Sequence, residues 1–301
     1  MRSEVFGEVH LHLGAHRTGS TAFQMMLSDN ADSLRAQGVS VGFPSRGQVP
    51  NGQLQTYLEH QALSDPEQLK KQIAQNRADI APIVGSDEGQ HSLLSEENFI
   101  GGMISFQQGK FYPHARDRMI LLKKVLQPAE VGNVMLMIRA YDTLFVSAFR
   151  KRAENQLVPN YDVVRRRQAE FEGGWPKVVD DILSGLKPRN LFVVPYRRER
   201  DDLALLGRLC PQVDTTKLKP STGHTNASFP DAALFEIQRR RRAGERLGWA
   251  EKRAIYEAFA DKSTRQPFVK VFPKHEESLR ARYLSDLELL RARSEITLVE
   301  D

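Results

Sequence analysis

Apolar positions recur with two periods along this chain. At Val9, Leu11 and Leu13 they alternate with polar residues, the period of a strand over 8–13. Val134 to Ile138 is an unbroken apolar run, as a strand of a parallel sheet buried on both faces would be, within 133–138. Segments 92–95 and 190–195 read as further strands, and the Val39/Val41 alternation after Gly38 as a short one. Helical spacing fills the intervals at 19–36, 115–126, 142–156 and 175–186, and continues over 203–209, with Asp142 placed to cap the third of these. Strands alternating with helices predict a three-layer α/β/α domain over 1–301, with a central parallel sheet and right-handed crossovers. Residues 44–90, rich in Gln, Pro and Asp, read as a helical insertion beside the acceptor, with helices at 53–63 and 66–80. Residues 230–301 read as a helical C-terminal region, with helices at 235–247, 249–261 and 276–295. The last carries the stripe Leu279, Tyr283, Leu287 and Leu290.

The first strand runs into Gly14-Ala15-His16-Arg17-Thr18-Gly19-Ser20-Thr21 and then a helix. Strand, glycine loop and helix together aim backbone N–H groups and the positive helix end at one point, where an anion fits. Gly14, Gly19 and Thr21 keep the Walker spacing Gly-x-x-x-x-Gly-Lys-Ser/Thr, but Ser20 stands in the lysine's place and the basic residue is Arg17, inside the loop. A nucleotide kinase would lack its lysine here.

This loop resembles the 5′-phosphosulfate loop of the sulfotransferases, which reads basic-Ser/Thr-Gly-Ser/Thr-Ser/Thr and is matched by Arg17, Thr18, Gly19, Ser20 and Thr21. A second match lies at the end of the 133–138 strand. Sulfotransferases hold a 3′-phosphate with an arginine at a strand end and a serine eight residues on, and Arg139 and Ser147 keep that spacing. The resemblance implies a P-loop NTPase-like fold, 3′-phosphoadenosine-5′-phosphosulfate as co-substrate, and no metal. It implies Arg17 at the leaving oxygen, loop residues 17–21 on the 5′-phosphate, and Arg139 with Ser147 on the 3′-phosphate. Ser95-Glu96-Glu97 resembles the Ser-x-Glu segment of bacterial and carbohydrate members, which makes Glu97 the candidate base, with Glu96, His12, His16 and His91 as alternatives. Tyr196 matches the tyrosine near the adenine, although Arg197 and Arg198 follow it where the cytosolic branch has acidic residues. Asn226-Ala227-Ser228 resembles the start of the donor-covering loop, or else a helix cap before Pro230. The expected partners are the donor and its desulfonated product, with a hydroxyl acceptor that is a carbohydrate or small metabolite.

Two other classes stay open on the residues: a P-loop small-molecule kinase, and a non-catalytic polyanion-binding module gripping through Arg239–Arg242. For that arginine run the plain reading is a solvated helix face. Likewise His10 and His12, alternating on one strand, share a face, and their plain reading is support of the loop by hydrogen bonding. Composition narrows little: 301 residues, 40% hydrophobic, 27% charged, net charge +5, compatible with an anionic ligand and with weak nucleic-acid binding but specific for neither. One cysteine, Cys210, rules out an intrachain disulfide and a multi-cysteine metal site, and is expected as a half-buried thiol. With no run of about 20 apolar residues and no signal-peptide pattern, the expectation is a cytoplasmic protein without a membrane span.

Overall fold

The computed structural model describes residues 7–45, 49–84, 91–220 and 228–300. Six parallel strands form one sheet: β1 (Glu8–Gly14), β2 (Val39–Gly42), β3 (His91–Ser95), β4 (Glu130–Ile138), β5 (Asn190–Pro195) and β6 (Thr297–Leu298). Their order is β2-β3-β1-β4-β5-β6. Helices α1 (Ser20–Asp29) and α2 (Ala31–Ala36) lead to β2, α3 (Pro66–Ile80) to β3, and α4 (Ala115–Leu126) to β4. Helices α5 (Tyr141–Asn155), α6 (Tyr161–Ala169) and α7 (Trp175–Leu186) lead to β5, and α8 (Asp202–Leu209), α9 (Asp231–Arg242), α10 (Trp249–Phe259) and α11 (Pro273–Arg291) to β6.

The period-2 pleat divides the core into two layers. Val134, Leu136 and Ile138 join Leu11, Leu13, Met119, Phe145 and Trp175 on one face, covered by α4, α5 and α7. Met135 and Met137 join Phe23, Leu27, Leu206 and Leu209 on the other, covered by α1 and α8. The fold is thus α/β with helices on both faces of a parallel sheet, as the alternation predicts.

Connectivity fixes where a ligand can sit. After β1 the chain moves toward β3 and β2; after β4 it moves toward β5 and β6. Neighbouring strands whose connections depart in opposite directions leave a crevice outside their carboxyl ends, here between β1 and β4. Trp175 steadies one side of it: buried against Phe111, its Nε1 donates to the Arg139 carbonyl at 2.9 Å.

Several local expectations are corrected. The 19–36 helix breaks at Asn30, whose side chain donates to the Met26 and Lys219 carbonyls and accepts from the Lys219 amide. Only a 3-10 turn at His60–Ser64 forms within 53–63. Helix α3, capped by Asp65 with Pro66 in its first turn, supplies the β2–β3 crossover. Asp142 does not cap α5; Ala140 occupies that position, and Asp142 is buried beside Arg280 at 3.3 Å. Helix α11 ends at Arg291, before β6, with Leu279, Tyr283 and Leu290 buried as its stripe predicts. Cys210 is fully buried rather than half-buried. Among the described residues, no helix is long and apolar enough to cross a membrane.

Candidate functional site

The glycine loop is built by backbone demands. Gly14 ends β1 at a point where a Cβ would fall 2.3 Å from Ser20 Oγ and 2.8 Å from His12 Cε1. Thr18 closes a tight turn, its amide (3.3 Å) and hydroxyl (2.5 Å) both donating to the Ala15 carbonyl. The chain then needs left-handed backbone at Arg17 (φ 66) and Gly19 (φ 81), and α1 starts at Ser20 without a side-chain cap. Among the described residues, the amides of Gly19, Ser20 and Thr21 meet no acceptor, and the buried Ser20 hydroxyl has no partner. First-turn amides and an orphaned hydroxyl at a positive helix end form a seat for an anion.

Cationic groups from distant segments close around that seat. Arg17 Nε donates to Ser147 Oγ at 2.9 Å across 130 residues of sequence. Arg139 Nη1 donates to the Arg17 carbonyl at 2.6 Å, Arg139 Nε donates to Thr143 Oγ1 at 3.0 Å, and the Arg139 guanidinium lies 5.0 Å from the Tyr196 ring centroid. Tyr196 is itself held by its amide on the Ile138 carbonyl at 2.7 Å. Burial lowers the Arg17 pKa, while Glu154, Tyr196 and Glu97 pull it back up. Burial also lowers that of Arg139, with the Arg17 charge adding to the effect. Burial thus disfavours the charged form of both guanidiniums, and the Glu154 and Glu97 carboxylates partly offset this at Arg17.

Glu97, Arg17, Arg139 and Tyr196 follow the carboxyl ends of β3, β1, β4 and β5, four adjacent strands, so they span about 15 Å at ~4.8 Å per strand spacing. The structure therefore brings the loop, Glu97, Arg139, Ser147 and Tyr196 to one edge. Asn226 lies outside the described residues. One residue that sequence reasoning missed belongs with them: Arg200, whose guanidinium donates to the carbonyls of Thr18 (2.6 Å) and Gly19 (2.8 Å). Its only sequence signal is the basic run after Tyr196, which the resemblance does not account for.

A buried polar chain supports Glu97. His12 Nδ1 meets Ser95 Oγ at 2.8 Å, and Gln24 Nε2 donates to the Ser95 carbonyl (3.1 Å), to Ser95 Oγ (3.3 Å) and to Glu97 Oε2 (3.4 Å). Of the alternative bases, Glu96 is buried and caps the following turn through the Asn98 amide at 2.7 Å, and His16 Nε2 donates to the Gly101 carbonyl at 2.9 Å. His12 is engaged with Ser95. His91 opens β3 beside Glu8, at the opposite sheet edge, which removes it from the site.

His10, His91 and Glu8 bring potential ligand atoms within 4.8 Å of one another. His10 Nδ1 accepts the Asn133 amide at 3.1 Å, which puts the ring proton on Nε2, directed at His91 Nδ1 3.2 Å away, while Glu8 pairs with Arg189 at 2.8 Å. The donor atoms are committed to a hydrogen-bond chain, and the set does not fit a metal.

Burial pushes the His12 pKa down to about 3, with Arg200 adding to it, and the His10 pKa down to about 4. Both rings stay neutral in the folded chain while the unfolded chain takes up protons below about pH 6.5. Their contribution to stability is therefore complete above that pH and falls as pH drops toward 4, by up to about 1.4 kcal/mol per pH unit per ring. Urea unfolding at pH 5 should give a lower midpoint than at pH 7.5, and neither ring should titrate between those values by NMR; a ring midpoint near 6.5 would contradict the assignment.

On α9, Arg239 and Arg240 both pair with Glu236 at 2.7 Å, and Arg239 foremost holds the Glu236 pKa at about 2. Half of the arginine run is thus engaged within its own helix. No protein-family model and no curated protein matches this chain.

Proposed function

We propose that the chain is a sulfotransferase of P-loop type, transferring a sulfuryl group from 3′-phosphoadenosine-5′-phosphosulfate to an acceptor hydroxyl. The observation that carries this reading is the Arg17–Ser147 hydrogen bond, with Arg139 on the Arg17 carbonyl. It joins the two elements that resemble the 5′- and 3′-phosphate sites, which lie far apart in sequence. The crevice between β1 and β4 and the orphaned Ser20 hydroxyl support it. Within it, the amides of Gly19, Ser20 and Thr21 and the hydroxyls of Ser20 and Thr21 hold the 5′-phosphate. Thr18 shapes the loop instead, since its hydroxyl is spent on Ala15. Arg139 and Ser147 hold the 3′-phosphate, and Tyr196 borders the adenine.

In the chemical step the acceptor oxygen attacks sulfur in line, and the bond from sulfur to the bridging phosphate oxygen breaks. Negative charge grows on that departing oxygen, where Arg17 and the loop amides stabilise it. Glu97 takes the acceptor proton. Acceptors of carbohydrate or small-metabolite type fit this hydroxyl chemistry.

Thermal unfolding separates this reading from a kinase. Adenosine 3′,5′-bisphosphate at a hundredfold excess over its Kd should stabilise the protein by about 2.7 kcal/mol, whereas ATP with magnesium should not. The reverse pattern would favour a phosphotransferase; salt-sensitive heparin binding with no response to either nucleotide would favour a polyanion binder.

A further inference from the structure

We propose that Arg200 is a positioning residue that turns the loop amides toward the bound anion. The proposal rests on the donor reading for the identity of that anion, but its geometry is independent. Three successive loop carbonyls are each held by an arginine: that of Arg17 by Arg139 Nη1, that of Thr18 by Arg200 Nη1, and that of Gly19 by Arg200 Nη2. A trans peptide unit is planar, and its N–H points opposite to its C=O. Fixing the Thr18 and Gly19 carbonyls therefore fixes the amides of Gly19 and Ser20 on the other side of the loop, where they meet no acceptor among the described residues. A preset amide pair spends no reorganisation when an anion arrives.

Arg200 is itself locked. Its Nε is bonded to Asp202 Oδ1 at 2.6 Å, both side chains are largely buried, and the guanidinium lies 5.8 Å from the Tyr196 centroid. Its approach also explains Gly19 beyond the left-handed backbone: a Cβ there would fall 2.4 Å from Arg200 Nη1. The planar fork matters more than the charge, because a lysine ammonium cannot serve two carbonyls and Asp202 in this arrangement.

The test is Arg200→Lys, with Asp202→Asn as a second variant that keeps the arginine but loosens its anchor. Calorimetry would compare adenosine 3′,5′-bisphosphate with adenosine 3′-monophosphate, which lacks the phosphate the loop amides hold. Arg200→Lys should weaken the bisphosphate about tenfold or more and leave the monophosphate within about twofold; Asp202→Asn should fall between. An equal loss for both ligands would reduce Arg200 to general structural support, and no loss for either would also overturn the proposal. Hydrogen exchange on the ligand-free protein supplies a readout that needs no nucleotide. The Ala22 and Phe23 amides, which share the Gly19 carbonyl with Arg200, should exchange faster in Arg200→Lys. Should the wild type bind neither nucleotide, the donor reading fails, and unchanged exchange over residues 14–27 then refutes the clamp as well.

Discussion

Replacing Arg17 by alanine should lower single-turnover sulfuryl transfer by about 10²- to 10³-fold, the usual effect of removing one preorganised donor from a developing anion. Two functions are lost together. On the proposed reading the guanidinium no longer faces the departing oxygen, and Ser147 Oγ loses the Arg17 Nε–H that it accepts at 2.9 Å. Lysine at this position keeps one charge but cannot serve Ser147 and the leaving oxygen in the forked manner of arginine, so Arg17→Lys should recover only part of the rate. Quenched-flow measurement with labelled donor reads both variants, and an Arg17→Ala rate within twofold of wild type would remove Arg17 from the chemistry.

Glu97→Gln should lower the same rate by about 10²- to 10⁴-fold while donor affinity stays within about twofold, because the amide keeps the side chain's shape but cannot take a proton. The neighbouring glutamate gives the contrast. Glu96 spends its carboxylate on the Asn98 amide and side chain, both at 2.7 Å, so Glu96→Ala should cost about 1–2 kcal/mol of stability as a lost cap. A rate loss in Glu96→Ala deeper than in Glu97→Gln, at equal folding, would reassign the base.

Where the sequence pattern is legible, the reason is physical. A strand buried on both faces must be apolar throughout, so Val134 to Ile138 announces β4, and the helical spacing after it announces α5. The loop, Arg139 and Ser147 stand out because each carries a local mark, glycine spacing or a strand end followed by a helix, and the fold joins them through the Arg17–Ser147 and Arg139–Arg17 hydrogen bonds. Contacts made across the fold leave no such local mark. Arg200 reaches carbonyls 182 and 181 residues upstream, and the break at Asn30 answers to Lys219, 189 residues away. Strand β6 is two residues long, too short to show a period. His91 lies close to Glu97 in sequence, yet β3 runs between them and carries the histidine to the far edge. The His10–His12 alternation is polar in sequence but buried in the fold, since each ring finds a hydrogen-bond partner beneath α1 and α8.

The most direct measurement is calorimetric titration of wild type and Arg139→Ala with adenosine 3′,5′-bisphosphate. Micromolar binding to the wild type, weakened about a hundredfold by loss of one charge-assisted phosphate contact, is the predicted result. Binding unaffected by Arg139→Ala would contradict the 3′-phosphate site, and no binding to the wild type would contradict the donor itself.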